Sequence, residues 1–145
     1  MTTPLDPEAQ SEILSAITER LLFELPAGWN HLQLDYAAVG DYVVSVGLVR
    51  MENGAMFGWT PPEDVTENFE VLRSGMARPG RGAWLHATYW LDYPDSYSVD
   101  YDRVHLPRFE VPPSGENVAR ELELFPRGDE FVPDWMREKL AAEHE

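Results

Sequence analysis

The chain has 145 residues, enough for one ordinary domain with its own hydrophobic core, and we expect that domain to span residues 1–145. Twenty-six acidic residues against eleven lysines and arginines give a formal net charge of −15, which argues against a surface that binds nucleic acid or anionic lipid through phosphate groups. Because cysteine, a signal-peptide pattern and an apolar run of membrane-spanning length are all absent, we expect a cytoplasmic protein without thiol chemistry.

The first predicted element is an amphipathic helix that starts after Asp6. Asp6 is a suitable N-cap, and Pro7 and Glu8 are favourable in a first turn. Apolar residues then recur at helical spacing at positions 13, 14, 17, 21, 22 and 25, before Pro26-Ala27-Gly28 ends the helix. This apolar stripe requires a sheet or another helix to cover it.

A three-stranded antiparallel meander is predicted next, because the apolar period changes to two from Trp29. Leu32, Leu34 and Tyr36 alternate with His31, Gln33 and Asp35, which indicates a strand with one wet face. After a turn at Gly40-Asp41, residues 42–51 are rich in β-branched side chains, so we expect a more buried central strand there. Residues 52–54 form a hairpin turn into a third strand at 55–59.

The second half alternates a helix, a strand pair and a loop-rich tail. Thr60 and Glu63 fit a capping box for a helix near residues 63–77, and strands are expected at 83–91 and 96–101. Short helices are expected near 116–124 and from Pro133. The sequence therefore predicts an α+β fold: an antiparallel sheet of about five strands, packed by the N-terminal and central helices, with an irregular C-terminal segment and short helices.

No motif for catalysis, cofactor binding or metal binding stands out. The histidines at positions 31, 86, 105 and 144 are scattered, and neither a nucleophile elbow nor a glycine-rich phosphate loop is present. The aspartates between 92 and 102 lack the spacing of a calcium loop. We therefore predict neither catalytic residues nor a cofactor nor a metal.

The stretch YWLDYPDSYSVDYD, residues 89–102, is predicted to be a hairpin that turns around Pro94. Tyr89, Tyr97 and Tyr101 are expected to pack on the sheet as half-buried residues, while the aspartates between them make a negative strip. Such a strip suits docking to a cationic protein surface. The predicted partner-binding residues are Trp90, Asp92, Tyr93, Asp95, Asp100 and Asp102.

The tail contains large apolar residues between prolines. We expect Phe125, Phe131, Trp135 and Met136 to hold an irregular segment across the sheet or the first helix. Arg127 is expected to pair locally with Asp129 or Glu130.

The order of elements resembles the YezG-like immunity proteins of bacterial polymorphic toxin systems. The residues that carry the resemblance are ELPAGWNHLQLDYAAVGDY (24–42), Gly82-Ala83 leading into WLHATYWLDYPDSYSVDYD (84–102), and LPRFEVPPSG leading to LELFPRGDEFVPDWM (122–136). The tail from 106 to 136 is longer than the compact pattern of that family. In this respect the chain resembles the actinobacterial branch associated with secreted NAD-hydrolysing toxins.

The resemblance implies a cytoplasmic protein that binds its cognate toxin tightly and stops it acting before export, and it implies no reaction. From the net charge of −15 we expect the protein to cover a basic active-site cleft of that toxin. The toxin would be an NAD glycohydrolase or, as an alternative, a nuclease, since both clefts bind anionic substrates. A different alternative is an enzyme or small-ligand protein that uses an aromatic pocket around Trp84, Tyr89 and Trp90. A regulatory or scaffold domain with another basic partner is a further alternative.

Overall fold

A computed structural model of the protein describes residues 4–143, so His144, one of the four scattered histidines, lies outside the described part. The helices in this part of the chain are α1 (Pro7–Glu24), α2 (Glu63–Gly75), α3 (Gly115–Leu124) and α4 (Asp134–Glu143), and a 3-10 turn lies at Asp129–Phe131. The strands are β1 (Trp29–Val39), β2 (Tyr42–Met51), β3 (Met56–Trp59), β4 (His86–Asp92) and β5 (Ser96–Asp102).

The five strands form one antiparallel sheet in the order β3-β2-β1-β4-β5, which confirms the predicted α+β fold. β2 lies between β1 and β3, which confirms the predicted meander, but the prediction that β2 is the more buried strand is wrong. In β2 only Val49 is fully buried, and Val46 is 53% exposed. β-branched residues favour the extended backbone whether or not their side chains are covered, so composition alone does not indicate burial.

Helices α1 and α2 cover one face of the sheet and form the main core with it. Tyr36 of β1 stacks on Phe69 of α2 with ring centroids 5.6 Å apart. Thr18 of α1 shares a 2.6 Å hydrogen bond with the buried hydroxyl of Tyr89 of β4. The hydrogen bond satisfies the polar end of an otherwise apolar aromatic side chain and fixes α1 over the sheet.

The two long helices begin in different ways. Asp6 caps α1 as predicted, since its carboxylate accepts the Ala9 amide at 2.7 Å. The capping box predicted for α2 is wrong: the N-cap position is Pro62, which has no side-chain cap. Because α2 starts only at Glu63, Thr60 lies two positions before the N-cap rather than at it.

Helices α3 and α4 build a second apolar cluster at one end of the sheet. Val39 and Leu85 contribute from the sheet end, and Val118 of α3 and Met136 of α4 pack against them. The prediction that the tail crosses the sheet or α1 is therefore wrong. The tail packs against the end of the sheet. Trp135 assists by donating its indole N–H to the Val104 carbonyl at 2.7 Å.

Arg127 does not pair with Asp129 or Glu130, which corrects the prediction for this residue. Its guanidinium donates to three backbone carbonyls, those of Ala83, Arg103 and Phe131, at 2.8 to 3.1 Å. The guanidinium is planar and carries five N–H donors, so it can satisfy several converging carbonyls at once. An ion pair with one exposed carboxylate would hold the side chain less firmly. The tail is joined to the loops before β4 and after β5 by this residue.

A buried ion pair joins α2 to α3. Arg73 and Glu121 form two hydrogen bonds, one of them Nη1 to Oε2 at 2.9 Å, and their side chains are 4% and 0% exposed. Glu121 also accepts the Gly40 amide at 2.9 Å, and the Arg73 guanidinium lies over the Phe125 ring at 4.9 Å. The pair thereby connects both helices to the β1–β2 turn.

Candidate docking face

The face of the sheet opposite α1 and α2 is open to solvent over most of its width. The strand register places Asp100, Thr88, Asp35 and Val46 in one row across β5, β4, β1 and β2. The next row is Ser98, Trp90, Gln33 and Leu48, and the row after that runs from Ser96 through Asp92, His31 and Arg50 to Met56. We call this surface the open face.

The open face changes character from one side to the other. On the β2–β3 side the large apolar side chains are exposed: Val46 by 53%, Leu48 by 41% and Met56 by 58%. On the β5 side Asp100 is exposed and stands opposite Thr88. An apolar area bordered by acidic groups is the composition of a protein-binding surface.

A hydrogen-bonded cluster around Asp35 occupies the centre of the open face. One oxygen of its carboxylate accepts from His86 Nε2 at 2.9 Å and from Thr88 Oγ1 at 3.2 Å, and the other accepts from Gln33 Nε2 at 3.0 Å. Burial works to raise the pKa of Asp35, but the hydrogen bonds from His86 and Gln33 outweigh it and hold that pKa below its ordinary value. A fixed carboxylate therefore sits between the acidic and apolar sides.

The Asp35 cluster does not have the geometry of an activated nucleophile. Thr88 donates its hydroxyl proton to Asp35, and His86 directs the same ring nitrogen, Nε2, to that carboxylate. A base that activates a hydroxyl must have a free lone pair facing it. The two side chains instead orient one carboxylate, although Thr88 Oγ1 also lies 3.4 Å from His86 Nε2.

A cavity of about 540 Å³ opens beside this cluster, between the open face and the segment that follows β5. Its walls include Trp90, Val44 and Val46 from the sheet and His105 and Pro107 from the segment. Asp102 shapes this segment, because its carboxylate accepts the amides of Val104 and His105, both at 2.9 Å. Burial acts to raise the pKa of Asp102, but these hydrogen bonds lower it overall.

The predicted partner-binding residues divide into two groups. Trp90, Asp92, Asp100 and Asp102 lie on the open face, as the alternation of β4 and β5 requires. Tyr93 and Asp95 are exposed in the hairpin turn, where Tyr93 meets the Trp29 ring edge-on at 5.5 Å.

The four aspartates of the hairpin are not equivalent. Asp92 accepts from His31 Nδ1 at 2.7 Å while remaining 63% exposed, and Asp102 is engaged in the turn after β5. Within residues 4–143 no ion pair is found for Asp95 or Asp100, and both are exposed. These two carboxylates are therefore the ones ready to meet a cation on another molecule.

Sequence reasoning missed the apolar half of the open face. Val44, Val46 and Leu48 belong to the strand that the sequence predicts to be buried. The segment YVVSVGLVRM is apolar at both odd and even positions, whereas its neighbour β1 has polar residues on the open side. Such a run is also the pattern of a strand buried on both faces, so the sequence alone does not reveal that these side chains are uncovered.

The predicted aromatic ligand pocket is wrong as stated. Trp84 and Tyr89 are fully buried in the main core, while Trp90 points to the opposite face of β4. Adjacent residues of a strand point to opposite faces, so Tyr89 and Trp90 cannot line one pocket. Only Trp90 borders the cavity on the open face.

Within residues 4–143, each histidine pairs with one aspartate, and no group of three or more side chains is placed to hold a metal ion. None of the helices in this part of the chain combines the length and apolarity needed to traverse a bilayer.

Comparison with known proteins finds neither a family model nor a curated protein that matches this chain. The likeness to immunity proteins therefore stays a prediction from the sequence motifs.

Proposed function

We propose that this protein is a cytoplasmic, non-enzymatic immunity protein that binds a secreted toxin and blocks its basic active-site cleft, with an NAD glycohydrolase as the leading target. The observation that carries the proposal is the open face, where exposed apolar side chains of β2 and β3 border exposed carboxylates of the β4–β5 hairpin. The motif resemblance supplies the class of partner.

The apolar half of the open face supplies the part of an interface that stabilises a complex. Burying Val46, Leu48 and Met56 removes apolar surface from water at about 25 cal/mol per Å². Trp90 lies in the row with Leu48 and is half-buried, so it is a preorganised aromatic anchor. An apolar patch that borders polar groups has the two components found in stable protein interfaces.

The acidic half supplies the orientation. A cleft that binds an anionic dinucleotide or a polynucleotide must be cationic, and the net charge of −15 attracts it over a distance of about one Debye length, roughly 8 Å at physiological salt. Asp95 and Asp100 then meet cationic side chains at short range without first breaking an ion pair. The acidic face thus replaces the toxin's anionic substrate.

An activity assay with the toxin encoded beside this gene tests the proposal. Stoichiometric addition of the protein should stop NAD consumption by that toxin. If the toxin were a nuclease, nucleic-acid cleavage would stop and NAD would be untouched. Full toxin activity in the presence of excess protein would overturn the proposal in both versions.

A small-ligand function is the second candidate, because a cavity of about 540 Å³ lies beside Trp90 and the Asp35 cluster. A ligand there would raise the melting temperature of the protein and quench the Trp90 fluorescence. A metabolite screen that leaves both signals unchanged, together with tight toxin binding, would remove this candidate.

A further inference from the structure

Four arginines lie in the segments before β4, after β5 and before the 3-10 turn, away from the Asp35 cluster on the open face. The chain as a whole has more than twice as many acidic as basic residues. Arg78 and Arg81 belong to a tight turn, Arg103 follows β5, and Arg127 precedes the 3-10 turn. Arg81, Arg103 and Arg127 line a common cavity, and Arg78 lies close enough to act on the charge of Arg103. We call these four residues the arginine cluster.

No member of the arginine cluster forms an ion pair within the described residues, although Glu130 also lines the cavity and the charge of Glu121 acts on Arg127. In residues 4–143 the ion pairs of arginine involve Arg20, Arg73 and Arg120, and none involves the four members of the cluster. Burial and the charges of Arg78 and Arg81 together lower the pKa of Arg103. Like charges held together without a counter-ion cost free energy, and such a cost is typical of a site that awaits an anion.

The backbone around the cluster is fixed in advance. The turn from Arg78 to Gly82 closes with two hydrogen bonds, and Gly80 and Gly82 adopt φ values of +75° and +78°. The Gly128 amide donates to the Gly80 carbonyl at 2.7 Å, which fastens this turn to the tail. A site whose backbone is already ordered loses little entropy when a ligand binds.

The members of the cluster have different tasks. Arg127 donates to the carbonyls of Ala83, Arg103 and Phe131 and so holds the segments of the site together. Its positive charge adds to the potential in the cavity without a direct hydrogen bond to the ligand. Arg81 is exposed and lies over the Phe131 ring at 4.6 Å, which orients its guanidinium. Arg81 and Arg103 can therefore offer paired N–H donors to an anion, and phosphate oxygens match that geometry.

The cavity beside the cluster limits the size and character of the ligand. It has a volume of about 330 Å³, at the lower end for small-molecule sites, and Val104, Val132 and Pro133 form an apolar wall next to the guanidinium groups. We propose that the arginine cluster binds a phosphorylated small molecule, with its phosphate on Arg81 and Arg103, the charge of Arg78 nearby, and its less polar part on this wall. The site is separate from the open face and does not depend on the proposed inhibitor function.

Calorimetric titration of the full chain at low salt with two probes, inorganic pyrophosphate and ADP, tests the proposal. Both should bind with one-to-one stoichiometry, and ADP should bind more tightly because it also covers the apolar wall. Arg81→Gln should weaken both by about tenfold, as the loss of one charge-assisted contact implies. Arg50→Gln is the matched control, since Arg50 lies on the sheet and donates to Asn30, and it should bind as the wild type does.

Absence of heat up to about 10 mM of either probe would overturn the proposal, and so would equal affinity in Arg81→Gln and Arg50→Gln. A hexaglutamate peptide that bound through Arg81 while both phosphates failed would assign the cluster to an acidic protein segment instead. Arg103 also donates to the Met76 carbonyl, so Arg103→Gln is used only if its circular dichroism equals that of the wild type. Arg81→Gln alone is sufficient for the test.

Discussion

Single residues with buried charge have the largest consequences for the stability of this protein. Arg73 and Glu121 are separated by 48 positions in the sequence, and neither stands in a motif. Their side chains are almost inaccessible, so each charge depends on the other for compensation. No local pattern predicts such a pair, because the partner is decided only when α2 and α3 pack.

Replacing Arg73 by Met should destabilise the protein by about 3–5 kcal/mol, because Glu121 is left buried without its counter-charge. Adding Glu121→Gln should recover part of the loss, since the glutamine is neutral and its carbonyl still accepts the Gly40 amide. Urea unfolding of both variants measures the difference. The exposed Arg20→Met is the control and should change stability little. A double variant no more stable than Arg73→Met would contradict this account.

Asp35 gives the open face a pH-dependent contribution to stability. Its pKa is lower in the folded protein than in an unfolded chain, so its contribution is complete above the unfolded pKa and is lost as the pH falls through the folded pKa. Asp35→Asn should therefore flatten the dependence of unfolding free energy on pH between about pH 5 and pH 2. Urea midpoints measured across that range provide the check. Parallel curves for variant and wild type would refute the role given to its hydrogen bonds.

At the scale of elements, the sequence predicted what depends on neighbours along the chain. The Asp6 cap, the alternation of β1 and the turn at Pro94 are local signals, and the elements they predict are present. Strand order, the covered face and the docking of the tail depend on contacts distant in sequence. For that reason the sequence reveals neither the exposure of β2 nor the packing of Met136 at the end of the sheet.

The candidate site likewise has a part that local sequence signals predict and a part that depends on contacts distant in sequence. The acidic strip was predictable because aspartates alternate with tyrosines in a hairpin, and alternate positions share a face. The apolar half was not recognised, because the residues of β2 read equally well as core. Only the position of α1 and α2 on the other side of the sheet reveals that Val46 and Leu48 remain uncovered.

The second apolar cluster makes α4 a necessary element. Met136→Ala should destabilise the protein by about 2–5 kcal/mol, since this fully buried side chain fills the space between Val39, Leu85 and Val118. Leu124→Ala is the control, because Leu124 is 42% exposed at the end of α3, and its effect should stay near 0.5 kcal/mol or below. Urea unfolding compares the two variants. Equal losses would mean that α4 does not pack as described.

At the scale of the whole molecule, the helices lie on one side of the sheet and at its end, which leaves one broad face available. That face combines the exposed apolar residues of β2 and β3 with the aspartates of the β4–β5 hairpin in a protein of net charge −15. Docking of a toxin on this face would use both its apolar and its acidic side chains. Both kinds of side chain are exposed, so each can be substituted without disturbing the core.

The most direct test is the affinity of the cognate toxin for surface variants, measured by calorimetry at moderate salt. Asp100→Lys and Leu48→Lys each place a cation on the open face, whereas Glu12→Lys makes the same change as the aspartate variant on the exposed side of α1. We predict that both open-face variants weaken toxin binding by about tenfold or more, and that Glu12→Lys binds almost as the wild type does. Equal affinity of all three variants, or a loss confined to Glu12→Lys, would contradict the account.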